Sequence, residues 1–139
     1  MARKKKYLKI IDITWVEDVK SYLPSIKDEL NEIERDFNVK LDVVPKYSSL
    51  ELDIIAGNIP TSLVFCIDYN LSNGGNGVDG DEIIRQIRLV NKDCWIFFYS
   101  FNLTQLELRE LVKEDNRTIC QHRPDLLTNI RRMFEDGLL

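Results

Sequence analysis

Five side chains in this sequence have types and positions suited to acting together on a charged ligand: the adjacent acids Glu17 and Asp18, the acid Asp68, the hydroxyl of Ser100 and the guanidinium of Arg123. Each stands at the end of a run rich in apolar or β-branched residues. Three carboxylates brought to one place repel one another and need a cation. An all-oxygen donor set favours Mg²⁺, which keeps several waters and also takes phosphate. In that setting Asp68 has the chemistry of a carboxylate nucleophile toward a phosphoryl donor. The Ser100 hydroxyl and the Arg123 cation would then stabilise the phosphoryl oxygens.

These residues converge only if the runs before them are neighbouring strands. Tyr7–Val16 is rich in β-branched and aromatic residues and reads as the first strand, ending at Glu17-Asp18. Val19, Leu23, Ile26, Leu30, Ile33 and Phe37 follow at helical spacing, with Pro24 in or near the first turn. Val39, Leu41 and Val43 alternate as a second strand, which Pro45 is expected to close. Ser48 and Glu51 fit a capping box that opens a short helix ending near Gly57. Leu63–Ile67 is an unbroken apolar run ending at Asp68, the pattern of a central strand buried on both faces.

A polar, glycine-rich loop, Asn70–Gly80, leads to a third helix marked by Ile83, Ile84, Ile87 and Val90. Trp95–Tyr99 is the fourth strand, ending at Ser100, and Leu103, Leu106, Leu111 and Val112 mark a fourth helix. Arg117–Gln121 is the fifth strand. Pro124 starts the last helix, with Leu127, Ile130, Met133 and Phe134 inward and Gly137 as its stop.

Strands alternating with helices imply βαβ units and a parallel sheet. Short right-handed crossovers make this a doubly wound α/β sandwich. In such sheets ligands bind beyond the carboxyl ends of the strands, where the strand order reverses. Glu17-Asp18, Asp68, Ser100 and Arg123 all fall at that edge.

The bulk properties fit one domain over residues 1–139, with residues 1–6 as a basic tail (Arg3, Lys4, Lys5, Lys6). The tail reads as a solvated terminus, with a polyanion-binding arm as the other reading. The chain is 44% apolar and 30% charged, with a net charge of −4 that argues against general nucleic-acid binding. Lys9 and Asp12 interrupt the apolar stretch after the tail, so no signal peptide or membrane span is expected. Cys66, Cys94 and Cys120 are widely spaced and accompanied by a single histidine, His122. That makes a zinc site improbable and reads as reduced thiols in a cytoplasmic protein.

The ordered set of segments resembles the receiver domains of two-component response regulators, over residues 7–136. The resemblance lies in Ile13-Thr14-Trp15-Val16-Glu17-Asp18 and Val64-Phe65-Cys66-Ile67-Asp68. It continues in the stretch from Gly77-Val78-Asp79-Gly80 through Arg88, in Ile96-Phe97-Phe98-Tyr99-Ser100, and in Arg123-Pro124 at the family's Lys-Pro position. It implies a flavodoxin-like (βα)5 sandwich with strand order 2-1-3-4-5, Asp68 as phosphoacceptor and Ser100 as switch hydroxyl. It also implies Mg²⁺ held by Glu17, Asp18, Asp68 and the backbone carbonyl of Asn70. The expected partners are a histidine kinase or phosphotransfer protein, or a small phosphodonor, and an output protein. A dimer through the face of helix four, strand five and helix five is a further expectation. Catalysis is expected to extend only to the chain's own phosphorylation and dephosphorylation.

Four residues or segments depart from the family pattern. Arg123 replaces lysine with a larger, planar cation. Cys120 stands where an aromatic switch residue is usual. Phe101 replaces a small residue after the hydroxyl, where it could narrow access to Asp68. The loop after Asp68 is longer than usual, with the extra residues within Ser72-Asn73-Gly74-Gly75-Asn76. The last reads either as a gating element or as a tolerated insertion. The first three motivate a competing reading, a pseudo-receiver that binds partners without phosphorylation.

Overall fold

A computed structural model describes residues 9–47, 62–71, 78–113 and 115–139. Within them the chain runs β1 (Lys9–Val16), α1 (Tyr22–Ser25), α2 (Lys27–Phe37), β2 (Val39–Lys46), β3 (Val64–Asp68), α3 (Gly80–Val90), β4 (Trp95–Ser100), α4 (Gln105–Val112), β5 (Thr118–His122) and α5 (Leu126–Glu135). The expected helix near Ser48–Gly57, the added loop residues Ser72–Asn76, the basic tail and the first residues of the expected first strand lie outside the described residues.

The five strands form one parallel sheet in the order β2-β1-β3-β4-β5. Alternation along the strands sorts their side chains onto two faces. Ile11, Ile13, Trp15, Cys66, Phe97 and Tyr99 pack under α2 and α5, against Ile33, Leu126, Ile130 and Phe134. Val16, Phe65, Ile67, Ile96 and Phe98 pack under α3 and α4, against Ile83, Ile84, Ile87 and Leu108. Every residue of the central strand β3 is buried, as an unbroken apolar run requires. The doubly wound architecture and the strand order expected from the sequence are both present.

Four local expectations are corrected. β2 continues through Pro45 to Lys46, with Pro45 opposite Trp15. This is tolerated because β2 is an edge strand, where a missing N–H breaks no second ladder. The first helix is split at Ile26, whose φ of −108° and ψ of 10° leave the helical basin. Ser25 contributes by donating its hydroxyl to the Tyr22 carbonyl, in competition with the regular helical bonds. Leu108, not Leu106 or Leu111, is the buried anchor of α4; Leu106 is 77% exposed. Pro124 lies in a 3-10 turn, Arg123–Asp125, that precedes α5. The expected stop at Gly137 holds, and the residue has a φ of 74° that favours glycine.

Candidate functional site

β1 ends where the Glu17 amide donates to the Lys46 carbonyl at 2.9 Å, which turns the Glu17 side chain inward. Its carboxylate is buried and accepts three hydrogen bonds: the Val19 amide at 3.1 Å, the Tyr99 hydroxyl at 3.0 Å and an Arg123 Nη2 at 2.5 Å. The last residue of β3, Asp68, is 2% exposed. Its Oδ1 accepts from the Asn70 amide at 3.2 Å and its Oδ2 from the same Arg123 Nη2 at 3.2 Å. Half-buried Asp18 completes the group, with one carboxylate oxygen from each acid lying within 4.8 Å of the others. The parallel register of β1, β3 and β4 brings these chain ends to one edge.

The 3-10 turn after β5 delivers Arg123 to that edge. Its guanidinium is 4.8 Å from the centre of the Tyr22 ring and 5.7 Å from that of Tyr99, with both acids at one nitrogen. The break at Ile26 matters here, because α1 is the element that carries Tyr22. Tyr99 is held in turn by the Trp15 indole N–H, which donates to its hydroxyl at 2.9 Å. Ser100 is fully buried, and its hydroxyl oxygen accepts from the Asn102 and Leu103 amides at 3.0 Å each. The Asn70 side-chain amide reaches the same oxygen at 3.3 Å and so ties the loop after Asp68 to Ser100.

Burial and the neighbouring Glu17 charge push the Asp68 carboxyl up to about 8, against the opposing pull of the Asn70 amide and Arg123. Burial also raises Glu17, although the Val19 amide and Arg123 oppose it. Burial, then the Glu17 and Asp68 charges, keep the Tyr99 hydroxyl protonated well above its ordinary range, so it is a donor to Glu17. The two acids outweigh the cost of burying Arg123 and hold it firmly cationic. Among the described residues, three carboxyl groups thus lie together here, and Arg123 pairs with two of them. A cluster of carboxylate oxygens of this kind suits a hard divalent ion.

All five residues singled out from the sequence lie at this edge. Phe101, which follows Ser100, is 62% exposed and its ring lies beside the His122 ring, at 5.9 Å. Cys120 is buried, and Arg109 from α4 extends beside its sulfur at 3.3 Å. The same guanidinium donates to the Asp115 carbonyl at 2.6 Å and to the Thr118 carbonyl. Sequence reading missed Trp15, Tyr22 and Tyr99 as site residues. The available signal was a tyrosine inside a buried run, since a buried phenol needs a hydrogen-bond partner.

No protein-family model matches the sequence, and no curated protein matches it. Solved structures do. The beryllofluoride-activated DrrB receiver domain superposes with a TM-score of 0.65 at 16% identity, covering 91% of this chain and 98% of that one. A two-component response regulator from Legionella pneumophila gives 0.63 at 16% identity, over 91% and 98% of the two chains. This chain has the receiver-domain fold. A Burkholderia pseudomallei response regulator with a phosphorylated aspartic acid and a calcium ion gives 0.64 at 12% identity, over 92% of this chain and 71% of that one. On the receiver fold, the acids of this chain occupy the crevice between β1 and β3, where the strand order reverses. Among the described residues no helix is long and apolar enough to cross a membrane.

Proposed function

We propose that this chain is a signalling receiver that accepts a phosphoryl group on Asp68. One observation carries the reading: Asp68 is the buried, carboxyl-terminal residue of the central strand, with Glu17, Asp18 and Arg123 grouped around it. The receiver fold supports it, as do two structural neighbours, one activated by beryllofluoride and one phosphorylated on aspartate.

In this reading an Asp68 carboxylate oxygen attacks the phosphorus of a donor, and the bond to the donor's leaving group breaks with its electron pair. The Asn70 amide fixes the Asp68 carboxyl during attack, leaving Oδ2 toward Arg123. Arg123 donates to phosphoryl oxygens as charge develops there. Glu17, Asp18, Asp68 and the Asn70 backbone carbonyl would hold Mg²⁺. That ion, when bound, supplies the positive charge that keeps Asp68 ionised and offsets the phosphoryl oxygens. The acyl phosphate carries roughly −1.5 to −2 charge in place of the carboxylate's single charge, beside buried Ser100. Ser100 then exchanges its loop amides for a phosphoryl oxygen, and the 101–103 segment before α4 moves with it.

The donor is a histidine kinase, a phosphotransfer protein or a small phosphodonor. The output is binding to another protein, with self-association through α4, β5 and α5 as one form. The setting is the cytoplasm, and no catalysis on other substrates is assigned. The test is intact-mass measurement after incubation with Mg²⁺ and acetyl phosphate. A phosphoryl adduct is expected on the natural chain and not on Asp68→Asn. A Mg²⁺-replete protein that forms neither that adduct nor a beryllofluoride complex would instead be a phosphorylation-independent interaction module.

A further inference from the structure

A cation and Arg123 call on the same carboxylates. Glu17 already accepts three hydrogen bonds, and one Arg123 nitrogen lies 2.5 Å from Glu17 and 3.2 Å from Asp68. These two acids are among the three whose oxygens cluster within 4.8 Å. The guanidinium is also fixed from behind. The Tyr22 and Tyr99 rings lie at 4.8 and 5.7 Å, positions in which a cation is attracted to the ring face. The Trp15 indole orients the Tyr99 hydroxyl, which pins Glu17 toward Arg123. A lysine lacks the planar group that stacks in this way and holds its charge on a flexible stem.

We infer that Arg123 is a built-in counter-ion, held across Glu17 and Asp68 by Tyr22 and Tyr99, which must leave Glu17 before a divalent cation can enter. Tyr99 is thus a positioning residue: it acts through Glu17 and Arg123 and sets how readily the site accepts metal. The inference rests on the proposal that this acidic crevice is a metal site, and it adds that the resting site is closed by its own arginine.

The test uses the full chain and Mn²⁺ as the probe, with free ion followed by electron paramagnetic resonance. Arg123→Met removes the charge while keeping an apolar stem beside the two rings. It is expected to bind Mn²⁺ at least about tenfold more tightly than the natural chain, the minimum for removing a unit charge at this range from a partly screened site. Tyr99→Phe keeps Arg123 but frees Glu17, with an expected tightening of about threefold, since loss of one hydrogen bond is worth about that or more. Arg123→Lys is expected between the two.

In a Trp95→Phe background, Mg²⁺ should shift Trp15 emission in the natural site, because movement of Arg123 disturbs the Tyr99 hydroxyl. The shift should vanish in Tyr99→Phe. Should Arg123→Met fail to fold, the other two variants decide. Equal affinities across the series, or no Mn²⁺ bound by any variant, overturns the inference. Tighter Mn²⁺ binding without a phosphoryl adduct on any variant upholds the inference and sinks the phosphoacceptor reading. Adduct formation with unchanged Mn²⁺ affinities does the reverse.

Discussion

Gly80 lies so close to the main chain of Asp68 that a Cβ on it would collide with the Asp68 carbonyl and stand 3.0 Å from the Tyr69 Cα. Its amide also donates to the Tyr69 carbonyl at 2.9 Å. The first turn of α3 is therefore docked onto the strand end that carries Asp68, and the two form one mechanical unit. The colliding atoms are backbone, which a side-chain rotation cannot relieve. Gly80→Ala is expected to destabilise the fold by about 1–3 kcal/mol, the usual range for overpacking. Urea unfolding measures this. A midpoint equal to that of the natural chain would show that the helix start can shift freely, and that the close approach is not a constraint.

Asp68 gives the protein an unusual pH dependence. Its carboxyl titrates near 8 in the fold, raised first by burial and next by Glu17, against about 3.9 in an unfolded chain. Between those values the folded state holds a proton that the unfolded state has lost, so stability falls as pH rises from about 4 to 8. The raised Glu17 carboxyl acts in the same direction. Asp68→Asn removes the ionisation and should be more stable than the natural chain at pH 8, by on the order of 2 kcal/mol. Thermal melts at pH 5 and pH 8 without divalent ions read the difference. Parallel slopes for the two proteins would remove Asp68 as its source.

Much of this arrangement was legible in the sequence, because strands buried on both faces write themselves as unbroken apolar runs. Val64–Asp68 and Trp95–Ser100 are such runs, and a polar residue ending each one has to lie at the sheet edge. The contribution of Tyr99 was hidden by the same logic, since within an apolar run it reads as filling. Its role depends on Trp15 two strands away and on Glu17, a pairing created by register. The reach of Arg123 across two acids depends on a 3-10 turn and on Tyr22, carried by a helix that periodicity ran into its neighbour. In α4 the apolar residues read from the sequence left out Leu108, which burial in the cluster shared with Phe98 and Ile84 makes the inward residue. Pro45 was misleading because nothing local distinguishes a strand's end from a strand at the edge of a sheet.

Ser100 offers a separation of folding from signalling. Its oxygen accepts the Asn102 and Leu103 amides and the Asn70 side chain from a fully buried position. Ser100→Ala leaves those donors short of a partner, and the expected loss is about 1–2 kcal/mol in urea unfolding. If Ser100 is also the group that answers phosphorylation, the variant should still form the Asp68 adduct. The Mg²⁺-dependent and beryllofluoride-dependent change in the amide signals of residues 101–103 should be lost. A change of natural size in those signals would assign the response to some other group.

On the far side of the sheet, Arg88 joins α3 to the start of β5. Its Nε donates to Asp115 at 2.7 Å, while its terminal nitrogens reach the Asn91 and Cys94 carbonyls at 3.2 and 2.9 Å and the Thr118 hydroxyl at 3.2 Å. Both charged side chains are largely buried. Burial alone would raise the Asp115 carboxyl, but hydrogen bonds from Arg88 and Thr118 prevail and hold it below the ordinary carboxylate range. Its stabilising effect is therefore present at neutral pH and is lost as pH falls below about 4, opposite in sign to that of Asp68. Removing one partner of a largely buried pair strands the other charge, so Arg88→Ala is expected to lose about 3 kcal/mol or more at pH 7. Asp115→Asn keeps some of the hydrogen bonding and should lose less, with a flatter acid limb below pH 4. Urea unfolding of both variants at pH 7 and pH 3 provides the comparison. An acid limb unchanged in Asp115→Asn would mean that some other carboxylate drives acid unfolding.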